Sequence, residues 1–231
     1  MAGLQHSLAL NKDLNQRARE RFTSSMRAWV LTDLAAQMQA DYEQASIDAG
    51  ESHNSGEAVH QFLKERGLFK WYSSLRCATQ ELVWQSVLRA IESDPDSVKS
   101  ISAITSPQHG GSLALDEKAA LPAYTDQMDV HLMPGNYQGG HSQGAEAGVV
   151  YDNGLDVFSF GVMGKNLDDI GHSMANFTRL KWPDLNPKLI VDVGCTIGHN
   201  TLPWKQTFPE AEVHGLDAAS PCLQYGHARA E

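Results

Sequence analysis

The apolar residues in the first ninety positions of the chain recur at helical intervals. In the first long stretch, every fourth residue is apolar or small, so these residues lie on one face of a helix. This stripe consists of Leu14, Ala18, Phe22, Met26, Val30 and Leu34. The pattern predicts a helix that is capped by Asn11 and runs to about Ala49, and the Thr23-Ser24-Ser25 run is expected to bend it.

Two more helices follow a polar loop at 50–56. The pattern predicts one over 57–66, which Gly67 ends, and one over 74–92, which ends before Asp94-Pro95. Three aromatic residues join these two helices: Phe69, Trp71 and Tyr72. We expect them to be core, and an aromatic wall for a planar substrate is the alternative.

Beyond Pro95 the helical periodicity fades, and two segments have the character of strands. Residues 128–133 alternate in polarity and end at Pro134-Gly135, which predicts a strand. Residues 148–160 contain two apolar runs on either side of Asp152-Asn153-Gly154, which predicts a β-hairpin because Asn-Gly tolerates a tight turn. A helix is predicted over 167–180.

The last part of the chain has the order strand, glycine turn, helix, strand, acid. The apolar run Leu189–Val193 predicts a buried parallel strand, and Gly194 and Gly198 flank the turn after it. A helix is predicted over 199–208 and a second strand over 212–216, which ends at Asp217. We therefore expect an N-terminal helical and small β region over 1–182, followed by a nucleotide-binding unit over 183–231.

The glycine turn resembles motif I of the class I S-adenosylmethionine-dependent methyltransferases, D/E-x-G-x-G-x-G. The matching residues are Asp192-Val193-Gly194-Cys195-Thr196-Ile197-Gly198, with Thr196 where the middle glycine is usual. The resemblance implies an α/β fold in which the N-terminal region covers the active site. It also implies that the last part of the chain is the first β-α-β unit of a doubly wound Rossmann-like methyltransferase sheet.

The resemblance also implies the cofactor, S-adenosyl-L-methionine, and the residues that bind it. Gly194, Cys195, Thr196 and Gly198 would line its methionine portion, and Asp192 would orient the amino group. Asp217 would accept hydrogen bonds from the ribose, and Ala218 would lie near the adenine edge. The methyl acceptor is expected to be a small molecule.

Later elements of such a sheet do not follow Asp217, so the sequence is interpreted as a truncated chain that does not turn over by itself. Two alternatives stay open. One is an NAD(P)-dependent Rossmann oxidoreductase, although the fingerprint G-x-G-x-x-G is absent. The other is a non-catalytic interaction module, whose open apolar sheet edge would pair with another chain.

Charge and cysteine content exclude several classes of function. The formal net charge of −10 argues against nucleic acid as a partner, and the arginines near the start are interpreted as a solvated helix face. Cys77, Cys195 and Cys222 form neither a disulfide framework nor a metal motif. Without a signal core or a membrane-spanning stretch, we expect a cytoplasmic protein that contacts no membrane.

Residues for handling the methyl acceptor are harder to select. Asp129 and His131 share one face of the predicted strand, so they could act as base and orienter or form a structural pair. His109 and His141 lie in glycine-rich loops without metal-ligand spacing, and no metal site is expected. His199 is expected to be packed or capping rather than catalytic.

Overall fold

The computed structural model of the chain shows a mixed α/β protein that is mostly helical and has two parallel strands in its described part. It describes residues 4–104, 111–116, 121–126, 131–138 and 144–230. The predicted sites His109, Asp129 and His141 lie outside these residues.

The first predicted helix exists, but its cap and its interruption differ from the prediction. Helix α1 (Leu14–Trp29) and helix α2 (Ala35–Ala49) are joined without a break by one π-helical turn, Val30–Leu34. Asp13 caps α1, because its carboxylate accepts a hydrogen bond from the Gln16 amide, so the Asn11 cap was wrong. The helix is perturbed at the π turn and not at the predicted Thr23-Ser24-Ser25 bend.

The predicted apolar stripe of α1 was also wrong at its start, since Leu14 and Phe22 are exposed. The buried face of α1 is polar. Its Gln16 side chain donates to the Ser86 carbonyl and to Glu20, and Glu20 forms an ion pair with Lys12 at 2.8 Å. These partners satisfy the polar groups that burial would otherwise penalise.

Two of the next three helices overlap predicted ones, although the second begins seven residues early, and the third was not predicted. The three are α3 (Gly56–Leu63), α4 (Gly67–Ser93) and α5 (Pro95–Ser102). Gly67 begins α4 instead of lying between two helices. The three aromatic residues therefore lie in the first turns of α4, where Trp71 is exposed and the other two are only partly buried. The expected aromatic core at this position was wrong.

The structure also replaces both predicted β segments before residue 180. Residues 131–133, the described part of the first segment, are irregular and not a strand, and a turn over 134–138 follows them. The predicted hairpin over 148–160 is a helix, α6 (Glu146–Phe158), and Asp152-Asn153-Gly154 lies buried within it. This helix is enclosed by α4 on one side and by the C-terminal helix on the other.

The C-terminal part of the chain has the predicted order of elements. It consists of α7 (Asp169–Lys181), β1 (Leu189–Val193), α8 (Leu202–Thr207), β2 (Glu212–Leu216) and α9 (Ser220–Arg229). The strands are parallel and pair from Leu189 with Glu212 to Val193 with Leu216. Both strand predictions are confirmed, whereas α8 begins later than the predicted residue 199 and has only 6 residues.

The prediction that β1 is buried was wrong, because its residues are exposed on one face of the sheet and only partly buried on the other. Side chains of paired residues in parallel strands point to the same face, so Val193 and Leu216 lie side by side. Val193 is 80% exposed and Leu216 is 51% exposed. The opposite face is only partly covered, by Cys195 and Thr201 beside Gly215.

A single hydrophobic cluster joins the helical part to the C-terminal unit. It contains Val83, Val87 and Ile91 of α4 together with Ile197 and Tyr225. None of the helices in the described ranges combines the length and apolar character needed to cross a bilayer.

Candidate functional site

The bend after β1 is held against the end of β2 by backbone hydrogen bonds. The Gly194 and Cys195 amides both donate to the Leu216 carbonyl, at 2.8 and 3.1 Å. These two hydrogen bonds to one carbonyl continue the sheet pairing by one step, and the chain turns away from the strand there. The bend therefore lies at the carboxyl edge of the two strands, where ligands bind in open parallel sheets.

Alternate residues of the bend adopt left-handed backbone conformations. The φ angles are +84° at Gly194, +48° at Thr196 and +70° at Gly198. Glycine adopts such angles without steric cost, whereas a β-branched residue such as Thr196 does not. A Cβ placed on Gly194 or on Gly198 would meet no atom within 4 Å, so the space beside both glycines is open.

Asp217 closes β2 and fixes the middle of the bend. One carboxylate oxygen accepts a hydrogen bond from the Thr196 amide at 2.8 Å, and the other accepts one from the Ala219 amide at 2.8 Å. A carboxylate has about four acceptor positions, so each oxygen can accept a further bond. Ala218, between the two anchored segments, is exposed.

Asp192 lies one residue before the end of β1, opposite Gly215. Its Oδ2 accepts a hydrogen bond from the Thr201 hydroxyl at 2.5 Å, which ties the strand to the segment that enters α8. The structure thus brings Asp192, Gly194, Thr196, Gly198, Asp217 and Ala218 together at one edge of the sheet.

Cys195 belongs to the packing beneath the sheet. Its sulfur would lie 2.8 Å from a Cβ placed on Gly215, so both residues must be small. Burial, assisted by the nearby Asp217 carboxylate, raises the pKa of the Cys195 thiol to about 12. A thiol that stays protonated at neutral pH is a poor nucleophile, so Cys195 serves here as a small buried side chain.

Two tyrosines that sequence reasoning missed adjoin the bend. Tyr151 of α6 lies with its ring centroid 5.9 Å from that of His199 and 5.6 Å from that of Tyr137. Burial raises the pKa of Tyr151, and the neighbouring Thr196 hydroxyl offsets part of this rise. Tyr151 could not be found from the sequence because the hairpin prediction placed it on a strand.

Residues 131–138 are anchored close to the exposed Ala218. The Gln138 side-chain Nε2 donates to the Ala218 carbonyl at 3.3 Å, and the Cys222 sulfur lies 4.0 Å from the Tyr137 carbonyl. At the other end of this segment, Trp84 and Gln80 both donate to the His131 carbonyl. Pro134-Gly135 was the sequence signal for the end of this segment, but its position against Ala218 is a tertiary feature.

His131 has a side-chain partner other than the predicted one among the described residues. Its Nδ1 lies 2.8 Å from the Tyr137 hydroxyl, so the two groups share a hydrogen bond. The pairing of His131 with Asp129 cannot be compared, because Asp129 lies outside the described residues. A histidine bonded to a phenol can pass a proton to or from that hydroxyl.

His199 is a packed residue, as expected. It is 5% exposed, and burial, together with the positive charge of Arg229, lowers its pKa to about 4. The adjacent Asn200 accepts a hydrogen bond from the Gly171 amide at 3.1 Å and so holds α7 against the segment before α8.

Within the described ranges, no group of three or more histidine, cysteine or acidic side chains is arranged to hold a metal ion. Comparison of the chain with protein-family models, with curated proteins and with solved structures found no match. The function must therefore be argued from the geometry of the bend and its neighbours.

Proposed function

We propose that residues 183–231 form the S-adenosylmethionine-binding unit of a class I, Rossmann-like methyltransferase that acts on a small molecule. One observation carries the proposal. The carboxylate that closes β2 binds the backbone of the bend after β1, through the 2.8 Å bond between Thr196 and Asp217. The acid for a ribose and the bend for the methionine portion of the cofactor thus lie at one edge of a parallel strand pair.

The residues at this edge suit the proposed cofactor. The open space beside Gly194 and Gly198 allows a ligand to approach bare backbone. Asp217 retains acceptor positions for ribose hydroxyls after its two backbone bonds, and Asp192 retains one oxygen for an amino group. The exposed Ala218 would lie beside the adenine.

The left-handed conformation of Thr196 supports the same assignment. In the motif that this bend resembles, glycine is usual at this position, and here threonine adopts a backbone angle that favours glycine. The alternation of left-handed residues is thus retained although one side chain differs. This argues that the path of the backbone, rather than the side chain of Thr196, is what the bend supplies.

When bound, S-adenosylmethionine supplies a methyl group that its sulfonium already activates. The chain then needs to align an acceptor and exclude water. Tyr151 and Tyr137 form an aromatic wall that extends from the bend, and Tyr137 is bonded to His131. This wall suits a small acceptor with a planar part, and His131 could accept a proton from it.

The proposal predicts that S-adenosylhomocysteine binds the chain and that Asp217→Ala weakens binding by about 1–3 kcal/mol, the cost of losing charged hydrogen bonds. Isothermal titration calorimetry measures this directly. Asp184→Ala removes an exposed carboxylate before β1, at the opposite edge of the sheet, and is the matched control.

Because Asp217 also anchors the bend, Asp217→Asn serves as a second variant that keeps the size and one acceptor oxygen. We expect its affinity to lie between those of the wild type and the alanine variant. Equal affinity in the wild type and both Asp217 variants would remove the assignment of Asp217. Binding of NADH with no response to S-adenosylhomocysteine would favour the oxidoreductase alternative.

An interaction module is the second candidate, and the exposed sheet face favours it. Val193 and Leu216 offer apolar surface next to strand edges that are unpaired in the described part of the chain. Light scattering over a concentration series would show association in this case, and Val193→Thr would reduce it without lowering stability.

A further inference from the structure

A second cleft lies on the helical part of the molecule, away from the bend. It is open to solvent, has a volume of about 540 Å³ and is lined by Arg21, Ser24, Ser25, Ala28 and Phe160. The four α1 residues are spaced at i, i+3, i+4 and i+7, so they share one face of the helix. This volume is within the range of sites for small molecules.

A buried arginine lies beside Phe160 of the cleft and has no acidic partner among the described residues. Arg27 is 7% exposed, and its guanidinium carbon stacks 4.0 Å from the centroid of the Phe158 ring and 5.8 Å from that of Phe160. Its Nε donates to the Phe158 carbonyl at 3.4 Å. Among the described residues, no carboxylate forms an ion pair with it.

The surroundings of Arg27 make the absence of a counter-charge costly. Burial lowers the pKa of Arg27, and the nearby charge of Arg76 lowers it further. Arg76 is exposed, but Arg27 is buried, and a buried charge without a counter-ion is expensive, so the pair favours the arrival of an anion. The chain as a whole carries a net charge of −10, so this positive potential is local.

Phe160, the aromatic residue of the cleft, has an unusual backbone conformation. Phe160 has φ of +60°, which is unfavourable for a residue with a bulky side chain. The following residues are fixed by bonds from the Gly161 amide to the Asp156 carbonyl and from the Val162 amide to the Ser159 carbonyl. Strained backbone of this kind is concentrated at binding sites, and here it presents a ring to the cleft.

We propose that this cleft binds a small anionic molecule with a planar ring, whose carboxylate or phosphate group pairs with Arg21 and Arg27. The Ser24 and Ser25 hydroxyls donate to the same group, and the ring packs against Phe160. Arg21 has contacts elsewhere, but a guanidinium has five donors and can serve both. This inference does not depend on the proposed function of the bend.

Calorimetric titration with phenyl phosphate, inorganic phosphate and benzyl alcohol tests the proposal. Phenyl phosphate should bind saturably, inorganic phosphate more weakly, and benzyl alcohol not measurably. Arg21→Gln should weaken phenyl phosphate binding about tenfold, the effect of losing one charge-assisted contact. Arg19→Gln makes the same change of charge at an exposed site on the opposite side of α1 and should alter binding less than about twofold.

Phe160→Leu separates ring contact from charge. It should reduce the affinity for phenyl phosphate several-fold and leave that for inorganic phosphate unchanged. Arg27→Gln should abolish binding of both phosphates; if this variant does not fold, the Arg21 and Phe160 variants decide the question. Absence of saturable phenyl phosphate binding up to about 10 mM, or equal losses in the Arg19 and Arg21 variants, would overturn the proposal.

Discussion

At the scale of single residues, Thr196 shows how the bend departs from the motif that it resembles. Its φ of +48° places a β-branched side chain in a region that glycine favours. The hydrogen bond that the Thr196 amide donates to Asp217 offsets this conformational cost. The glycines on either side adopt their left-handed angles without strain. One residue thus carries strain so that its backbone N–H can meet the carboxylate.

Replacing Thr196 should reveal this strain. We expect Thr196→Gly to be more stable than Thr196→Ala by about 1 kcal/mol, because only alanine keeps a Cβ in the left-handed region. At Thr201, where φ is −78°, we expect Thr201→Ala to be more stable than Thr201→Gly. Urea unfolding midpoints measure both differences; alanine above glycine at position 196 would show that the bend is unstrained there.

His199 should make stability depend on pH. Its folded pKa of about 4 lies below the ordinary 6.5, so the unfolded chain binds a proton that the folded chain does not bind between these values. Its contribution is fully present above pH 6.5 and is lost as the pH falls toward 4, by up to roughly 3 kcal/mol.

Urea unfolding at pH 7, 6 and 5 tests this contribution. His199→Gln should flatten the dependence on pH in this window, whereas His172→Gln, at a half-exposed site, should leave the dependence unchanged. A wild-type slope that survives in the His199 variant would assign the effect to other groups.

At the scale of elements, α6 explains why the hairpin prediction failed. A Cβ on Gly154 would lie 2.3 Å from the Trp84 ring, and one on Gly148 would lie 2.2 Å from Tyr225. These glycines therefore provide close helix packing on two sides rather than a turn. The short apolar runs that indicated strands are buried all round, and periodicity cannot separate such a helix from a strand.

Gly154→Ala should destabilise the protein by about 1–3 kcal/mol through overpacking, although alanine favours helices. Gly67→Ala, where an added Cβ meets nothing within 4 Å, should be neutral or slightly stabilising. Combining Gly154→Ala with Trp84→Leu should recover part of the loss. Additive losses in this double-mutant cycle would show that the two residues do not contact each other.

At the scale of the whole molecule, a buried ionic cluster joins three distant parts of the chain. Asp152 of α6 is fully buried and binds His6 at 2.9 Å and Arg229 of α9 at 2.6 Å. Burial raises the pKa of the Asp152 carboxyl, but these partners outweigh it and hold the pKa below its usual value. Arg229 also donates to the Asn166 carbonyl, so the C-terminal helix is fixed to the helical part.

Arg229→Met should cost about 3–5 kcal/mol, because it leaves the Asp152 charge buried with one partner fewer. Arg66→Met, which breaks a partly exposed pair with Asp41, should have a much smaller effect. Differential scanning calorimetry should show a single transition for the wild type, since one hydrophobic cluster spans both parts. Two separate transitions would contradict the shared core.

Features that depend on residues close in sequence were predicted correctly, and features that depend on residues remote in sequence were not. The order strand, bend, strand and acid could be predicted because an apolar run, two glycines and Asp217 lie within thirty residues and interact locally. Tyr137 and Tyr151 could not be placed beside the bend in the same way. Their positions depend on contacts such as that between Gln138 and Ala218, which are remote in sequence.

The sequence by itself determined the positions of most helices, the two strands and the residues that meet at the bend. Each follows from local periodicity or from the backbone freedom of glycine. Only the tertiary structure decided that Glu146–Phe158 is a helix, that α1 buries a polar face and that Arg27 has no acidic partner in the described part of the chain. The physical reason is that burial and charge pairing depend on neighbours that the fold supplies, and a local pattern does not specify those neighbours.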